Sequence, residues 1–129
     1  MECSTCQVPL VRFSVPSNYQ AYVPNEAESV GFCPVCFRLE SVETTPADPR
    51  FDRISQAFPT DPTAAIPMAL ALGLLESIAL NRSAIQALLD DVETAGTDPL
   101  LLIDRLVSQG SIQPRYDLDR RRDQLEQLR

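Results

Sequence analysis

The sequence predicts an α+β chain, with a small antiparallel β ribbon over residues 1–45 and a helical bundle of about four to five helices over residues 46–129. Three observations predict it. The cysteines fall into two C-x-x-C pairs, Cys3-Ser4-Thr5-Cys6 and Cys33-Pro34-Val35-Cys36, with 26 residues between them. Short runs rich in strand formers lie between and just after these pairs. Beyond Thr44-Thr45-Pro46-Ala47-Asp48-Pro49, a turn-rich linker, apolar residues recur at helical spacing.

Taken in order, Leu10-Val11-Arg12-Phe13-Ser14-Val15 reads as the first strand and closes at Pro16. Ser17 is placed to cap a short helical turn from Asn18 to Tyr22, ending before Pro24. Ser29-Val30-Gly31-Phe32 runs into the second cysteine pair, and Phe37 to Val42 alternates as a half-buried strand does. Asp48 is placed to cap a short helix with Pro49 first inside, and Phe51, Ile54 and Phe58 would share its apolar face. Thr63 to Leu80 is apolar nearly all round, as in a bundle's central helix or an oligomer interface. Asn81 marks a break and a new cap, followed by the stripe Ile85, Leu88, Leu89 and Val92, with Gly96 as the stop. Asp98 and Pro99 restart a helix whose stripe is Leu102, Ile103, Leu106 and Val107, and Gly110 ends it. The last helix, about Leu118 to Leu128, sets Leu118, Leu125 and Leu128 on one side.

The cysteines carry the clearest chemistry. A C-x-x-C turn brings two thiolates toward one metal, and two such turns complete a tetrahedral shell of four sulfurs. Zn²⁺ suits Cys3, Cys6, Cys33 and Cys36, with Zn–S near about 2.3 Å. Four protein ligands leave no open position, so the expected Zn²⁺ is structural. A ribbon this small buries little, and such a site supplies on the order of 10 kcal/mol of folding free energy. Iron in the same shell is chemically possible. Disulfides are disfavoured by a reducing cytosol, and redox use would require separate roles for the two pairs. Val8, Leu10, Phe32, Val35 and Phe37 flank the ligands as candidate shields. Many such turns carry Gly after the second cysteine; here Gln7 and Phe37 stand there.

Composition narrows the function. Histidine is absent, which removes histidine-based triads and imidazole metal sites. All eleven basic residues are Arg, and the net charge is −7. An acidic, lysine-free chain fits a cytosol at molar salt, where a Debye length of about 3 Å screens self-repulsion. A GC-rich genome accounts for the Arg bias as well, and the two readings are compatible. Met1-Glu2-Cys3 lacks the basic and apolar regions of a secretory signal. The longest apolar run, Ala64 to Leu75, falls short of the about 20 residues that cross a bilayer. A cytoplasmic protein without membrane association is expected.

Other features have two readings each. Arg120-Arg121-Arg122 is either a phosphate-binding patch or a set of intrahelical ion pairs with Asp119, Asp123 and Glu126, the second being preferred. The apolar segment 63–80 is either core or a surface for a protein partner or self-association, and core is preferred. Glu76 reads as a salt-bridging residue. No Gly-rich phosphate loop occurs.

Several segments resemble a haloarchaeal family known as a domain of unknown function. They are the two C-x-x-C pairs, Ala57-Phe58-Pro59-Thr60, the run from Ile66 to Leu75, the run from Ala95 to Leu100, and Asp117-Leu118-Asp119-Arg120-Arg121-Arg122. The resemblance spans the whole chain and implies a haloarchaeal cytosolic source and a zinc ribbon. It implies no activity. The ribbon alone is also similar to zinc ribbons of transcription and translation factors, but fold does not fix function.

The leading expectation is a zinc-binding, non-enzymatic protein–protein interaction or adaptor module. The alternative is a nucleic-acid-associated, transcription- or ribosome-linked factor, which the acidic charge disfavours. An enzyme using carboxylates and Arg has no positive feature in the sequence, and no small-molecule substrate is predicted.

Overall fold

The computed structural model describes residues 1–128. Three strands come first: β1 (Val11–Ser14), β2 (Ser29–Phe32) and β3 (Leu39–Ser41). Four α-helices follow among the described residues: α1 (Pro62–Leu74), α2 (Arg82–Thr94), α3 (Pro99–Gln109) and α4 (Leu118–Leu128). Short 3₁₀ segments occupy Ser17–Tyr22, Pro24–Glu26, Phe51–Arg53 and Leu75–Ser77. The predicted antiparallel ribbon followed by helices is therefore the observed architecture.

The sheet is antiparallel in the order β1-β2-β3. Val11 pairs with Phe32, Phe13 with Val30, and Phe32 with Leu39. This register follows from the alternation in β1. Val11, Phe13 and Val15 point to the buried side, while Arg12 turns away and donates to the Thr44 carbonyl at 3.1 Å. The buried side of the sheet and the helices share one hydrophobic cluster, from Phe13, Val30, Phe32 and Phe37 through Phe51 and Leu70 to Leu88, Ile103 and Leu125.

Helix α1 lies at the centre, packed on α2, and every residue from Ala64 to Leu72 is buried. Its start is local: Asp61 accepts from the Thr63 amide at 3.0 Å, and Pro62 fills the first position. Its end is tertiary. The Tyr116 hydroxyl donates to the Leu72 carbonyl, and Asn81 Nδ2 donates to Leu74 and Ser77. Arg121 donates from Nε to Leu75 at 2.8 Å and from Nη2 to Glu76 at 3.2 Å. Carbonyls that a helix end leaves unpaired are thus met by side chains from two other segments, one of them cationic, as the helix dipole favours.

This capping accounts for one departure from expectation. The helix expected over 63–80 ends at Leu74, and the segment after it turns through Ser77 to Leu80, leaving Leu80 86% exposed. Asn81 does stand at the start of α2, but its side chain serves the helix behind it and does not cap the one ahead.

A second departure lies at Pro49 to Phe58. In place of a helix there is a 3₁₀ turn at Phe51–Arg53, begun at Arg50, and then a turn in which Phe58 donates to Ser55. A segment this short between prolines cannot offset the cost of helix nucleation. Phe51, Ile54 and Phe58 are nonetheless all buried, because core contact sets their positions. The 3₁₀ segment at Ser17–Tyr22 starts from Pro16. Val107 is exposed, since it lies at the margin of the α3 stripe, and Pro99 joins Leu102, Ile103 and Leu106 in the core.

Candidate metal centre

The two C-x-x-C turns have the same backbone pattern. Gln7 donates its amide to the Cys3 carbonyl, and Phe37 donates to Cys33, both at 2.9 Å. Cys3 closes back onto the Val8 carbonyl, as Cys33 does onto Arg38. In each knuckle the second cysteine's amide points at the first sulfur, at 3.5 Å for Cys6 to Cys3 and 3.4 Å for Cys36 to Cys33. These amides orient the two sulfurs.

The same pattern requires a left-handed residue after the second cysteine. Gln7 has φ 58 and Phe37 has φ 67. Glycine adopts this region freely, whereas an L side chain pays about 1–2 kcal/mol. The absence of Gly therefore leaves the turn geometry intact and adds strain to it. The two sites differ in surroundings. Gln7 is exposed, while Phe37 is fully buried and stacks on Phe32 with ring centroids 5.2 Å apart.

The four Cys sulfurs lie within 4.8 Å of one another. Cys3 Sγ and Cys36 Sγ are 3.7 Å apart. A tetrahedral shell with metal–sulfur bonds of about 2.3 Å needs sulfurs about 3.8 Å apart, so the donor set fits a metal ion. None of the four is in a disulfide. Cys3, Cys33 and Cys36 are buried and Cys6 is half-buried, with Leu10, Val8, Val35 and Val42 packed around them. Burial pushes the Cys36 and Cys6 thiols up. At Cys3 burial acts the same way, but amide hydrogen bonds from Cys6 and Thr5 prevail and lower it.

Outer contacts tie the knuckles together. Glu40 on β3 accepts from the Ser4 amide at 2.9 Å and from its hydroxyl at 3.2 Å. Arg38 stands 3.8 Å from Glu40. The second knuckle also touches the helical layer. The Gln113 amide, between α3 and α4, donates to the Val35 carbonyl at 2.8 Å. A Cβ on Gly73 of α1 would lie 2.4 Å from Leu39 Cδ1, so the bare glycine lets the Leu39 side chain rest where it does against α1. Neither contact has a signature in residue spacing.

The other candidates resolve into structural roles. Glu76 pairs with Arg115 at 2.6 Å. Among the described residues, one of the three consecutive arginines makes an intrahelical ion pair: Arg122 meets Glu126, and it also bridges to Asp104 of α3 at 2.8 Å. Arg121 caps α1, and Arg120 is exposed. Helical spacing carried this signal. Positions 121 and 122 lie three and four residues after buried Leu118 and before buried Leu125, so they face inward, whereas Arg120 faces out.

An antiparallel sheet with two C-x-x-C knuckles converging four sulfurs, packed on helices, defines a four-cysteine ribbon protein with a candidate metal site. The chain belongs to a family of unknown function, DUF6276, whose model matches residues 2–129. No curated protein and no solved structure matches it. Among the described residues no helix is long and apolar enough to cross a membrane.

Proposed function

We propose that the chain is a non-enzymatic interaction module in which a structural Zn²⁺ stabilises the ribbon and the helical layer presents a surface to another protein or to a second copy. The supporting observation is the convergence of the Cys3, Cys6, Cys33 and Cys36 sulfurs within 4.8 Å of one another, with those of Cys3 and Cys36 3.7 Å apart. With all four positions held by the protein, a bound metal has no open place for substrate. Zinc is preferred to iron because it takes four thiolates tetrahedrally without redox chemistry. The lack of histidine supports the non-enzymatic part. The acidic, lysine-free composition supports a haloarchaeal cytosol as the setting. Engagement of Arg121 and Arg122 inside the protein favours this reading over nucleic-acid binding.

The segment 63–80 reaches the surface mainly after Leu74, because Ala64 to Leu72 are buried. Contact would be tested first at Leu80, Leu101 and Val107, the exposed large apolar residues of the helical layer.

Native mass spectrometry with elemental analysis should find one Zn²⁺ per chain. Size exclusion and affinity capture at molar KCl, with partners identified by mass spectrometry, should find a defined complex. A strictly monomeric chain with no partner would sink the interaction reading. Iron with its visible absorbance would sink the zinc assignment.

A further inference from the structure

The two knuckles share a backbone but not a neighbourhood. The left-handed residue of the first, Gln7, is exposed. That of the second, Phe37, is fully buried, and its ring belongs to the cluster that also contains Leu70, Leu88 and Ile103. Two further contacts leave the second knuckle for the helices: Gln113 to the Val35 carbonyl, and Leu39 against Gly73 of α1. A bulky residue does not hold a left-handed conformation unaided; its surroundings must impose it. Here the ring's packing on Phe32 and the hydrogen bonds of the turn hold it, and a metal gripping Cys33 and Cys36 on either side of Pro34 and Val35 would lock that turn. Loss of that grip would loosen the turn and with it the seat of the Phe37 ring against Phe32.

We propose that the second knuckle is a metal-dependent latch on the helical layer, in which Phe37, Val35 and Leu39 convey occupancy of the four-sulfur site to α1 and to the α3–α4 connection. This rests on the reading of the four cysteines as a metal site. The input is the metal ion itself, and the output is the order of helices that carry no metal ligand. Any surface those helices present then depends on metal supply. The first knuckle is a built-in control, since its left-handed residue faces solvent.

The test is residue-resolved hydrogen exchange on the full chain, metal-loaded and chelator-stripped, under reducing conditions at molar KCl. Stripping should speed exchange of the Gln113 amide and of amides in α1 by about tenfold or more, together with the ribbon amides. Phe37→Gly keeps the left-handed turn and removes the ring, and Phe37→Leu keeps an apolar body should the first variant fold poorly. In either, stripping should disturb the ribbon while α1 exchange changes far less. In Gln7→Gly the wild-type coupling should persist. If stripping frees the ribbon amides and leaves α1 and Gln113 protected, the latch is wrong and the metal reading stands. If the chain carries no metal and chelator changes no amide, the metal reading itself fails.

Discussion

The ribbon and the helical layer differ in what holds them. The strands are three or four residues long, whereas the helices run from 11 to 13 residues. Strands this short gain little from their ladders. The ribbon relies on one buried face, two strained knuckles and four sulfurs. The helical layer relies on continuous apolar stripes, with α1 buried all round, and on long-range caps. The difference shows how one chain combines two ways of offsetting conformational entropy: a cross-link where the core is thin, and burial where it is thick.

The largest effect should come from removing the cross-link. Replacing Cys33 and Cys36 together with Ser should abolish metal binding, remove a contribution on the order of 10 kcal/mol, and unfold the ribbon. Metal analysis and amide dispersion by NMR would read it, and retained metal in a folded ribbon would break the comparison. Next is the helical counterpart. Leu88 is fully buried on α2, so Leu88→Ala should cost about 2–5 kcal/mol in a denaturant melt, without loss of bound metal. Metal loss in that variant would mean the two regions are less distinct than drawn.

The seam comes third. Gly73→Ala would add a helix-favouring methyl but place it 2.4 Å from Leu39 Cδ1. The clash should outweigh the propensity gain and cost about 1–3 kcal/mol, and an unchanged or higher melting temperature would show that Leu39 has room to move. Arg121→Ala should cost about 1–2 kcal/mol by stranding the Leu75 and Glu76 carbonyls, with Arg121→Lys recovering part of it.

The smallest effect concerns pH. The Tyr19 hydroxyl is pushed up to about 12, first by burial and then by donating to Asp91 at 2.6 Å. Its folded value lies above the ordinary 10.0, so the neutral hydroxyl favours the fold. That contribution is complete below pH 10.0 and is lost as pH rises toward about 12. Tyr19→Phe should lower stability by about 0.5–1 kcal/mol at neutral pH and flatten the alkaline decline. Equal alkaline slopes in the two proteins would remove Tyr19 as the cause.

Much of this was legible in residue order because the physics is local. A C-x-x-C pair can close its own turn, and both pairs do so at the predicted places. Asp98 caps α3 by accepting from the Leu100 and Leu101 amides, as its position before Pro99 implies. Ile85, Leu88, Leu89 and Val92 are buried because α-helical period alone puts them on one face. The same period also aims Arg121 and Arg122 inward, which the reading of these arginines as intrahelical ion pairs did not use.

Only the tertiary structure decided the rest, since each remaining feature depends on partners distant in sequence. Helix α1 stops where Tyr116 and Asn81 reach its last carbonyls and Arg121 reaches those of Leu75 and Glu76 just beyond. Phe51 to Phe58 is a turn because burial holds its side chains and nothing holds a helix. Phe37 takes a glycine's conformation because the core holds its ring, and Gly73 is open because Leu39 needs the space. Residue order specified the two knuckles and most helical faces through short-range hydrogen bonding and period. Where the helices end, and how the ribbon sits on them, was set by contacts that exist only once the chain has closed on itself.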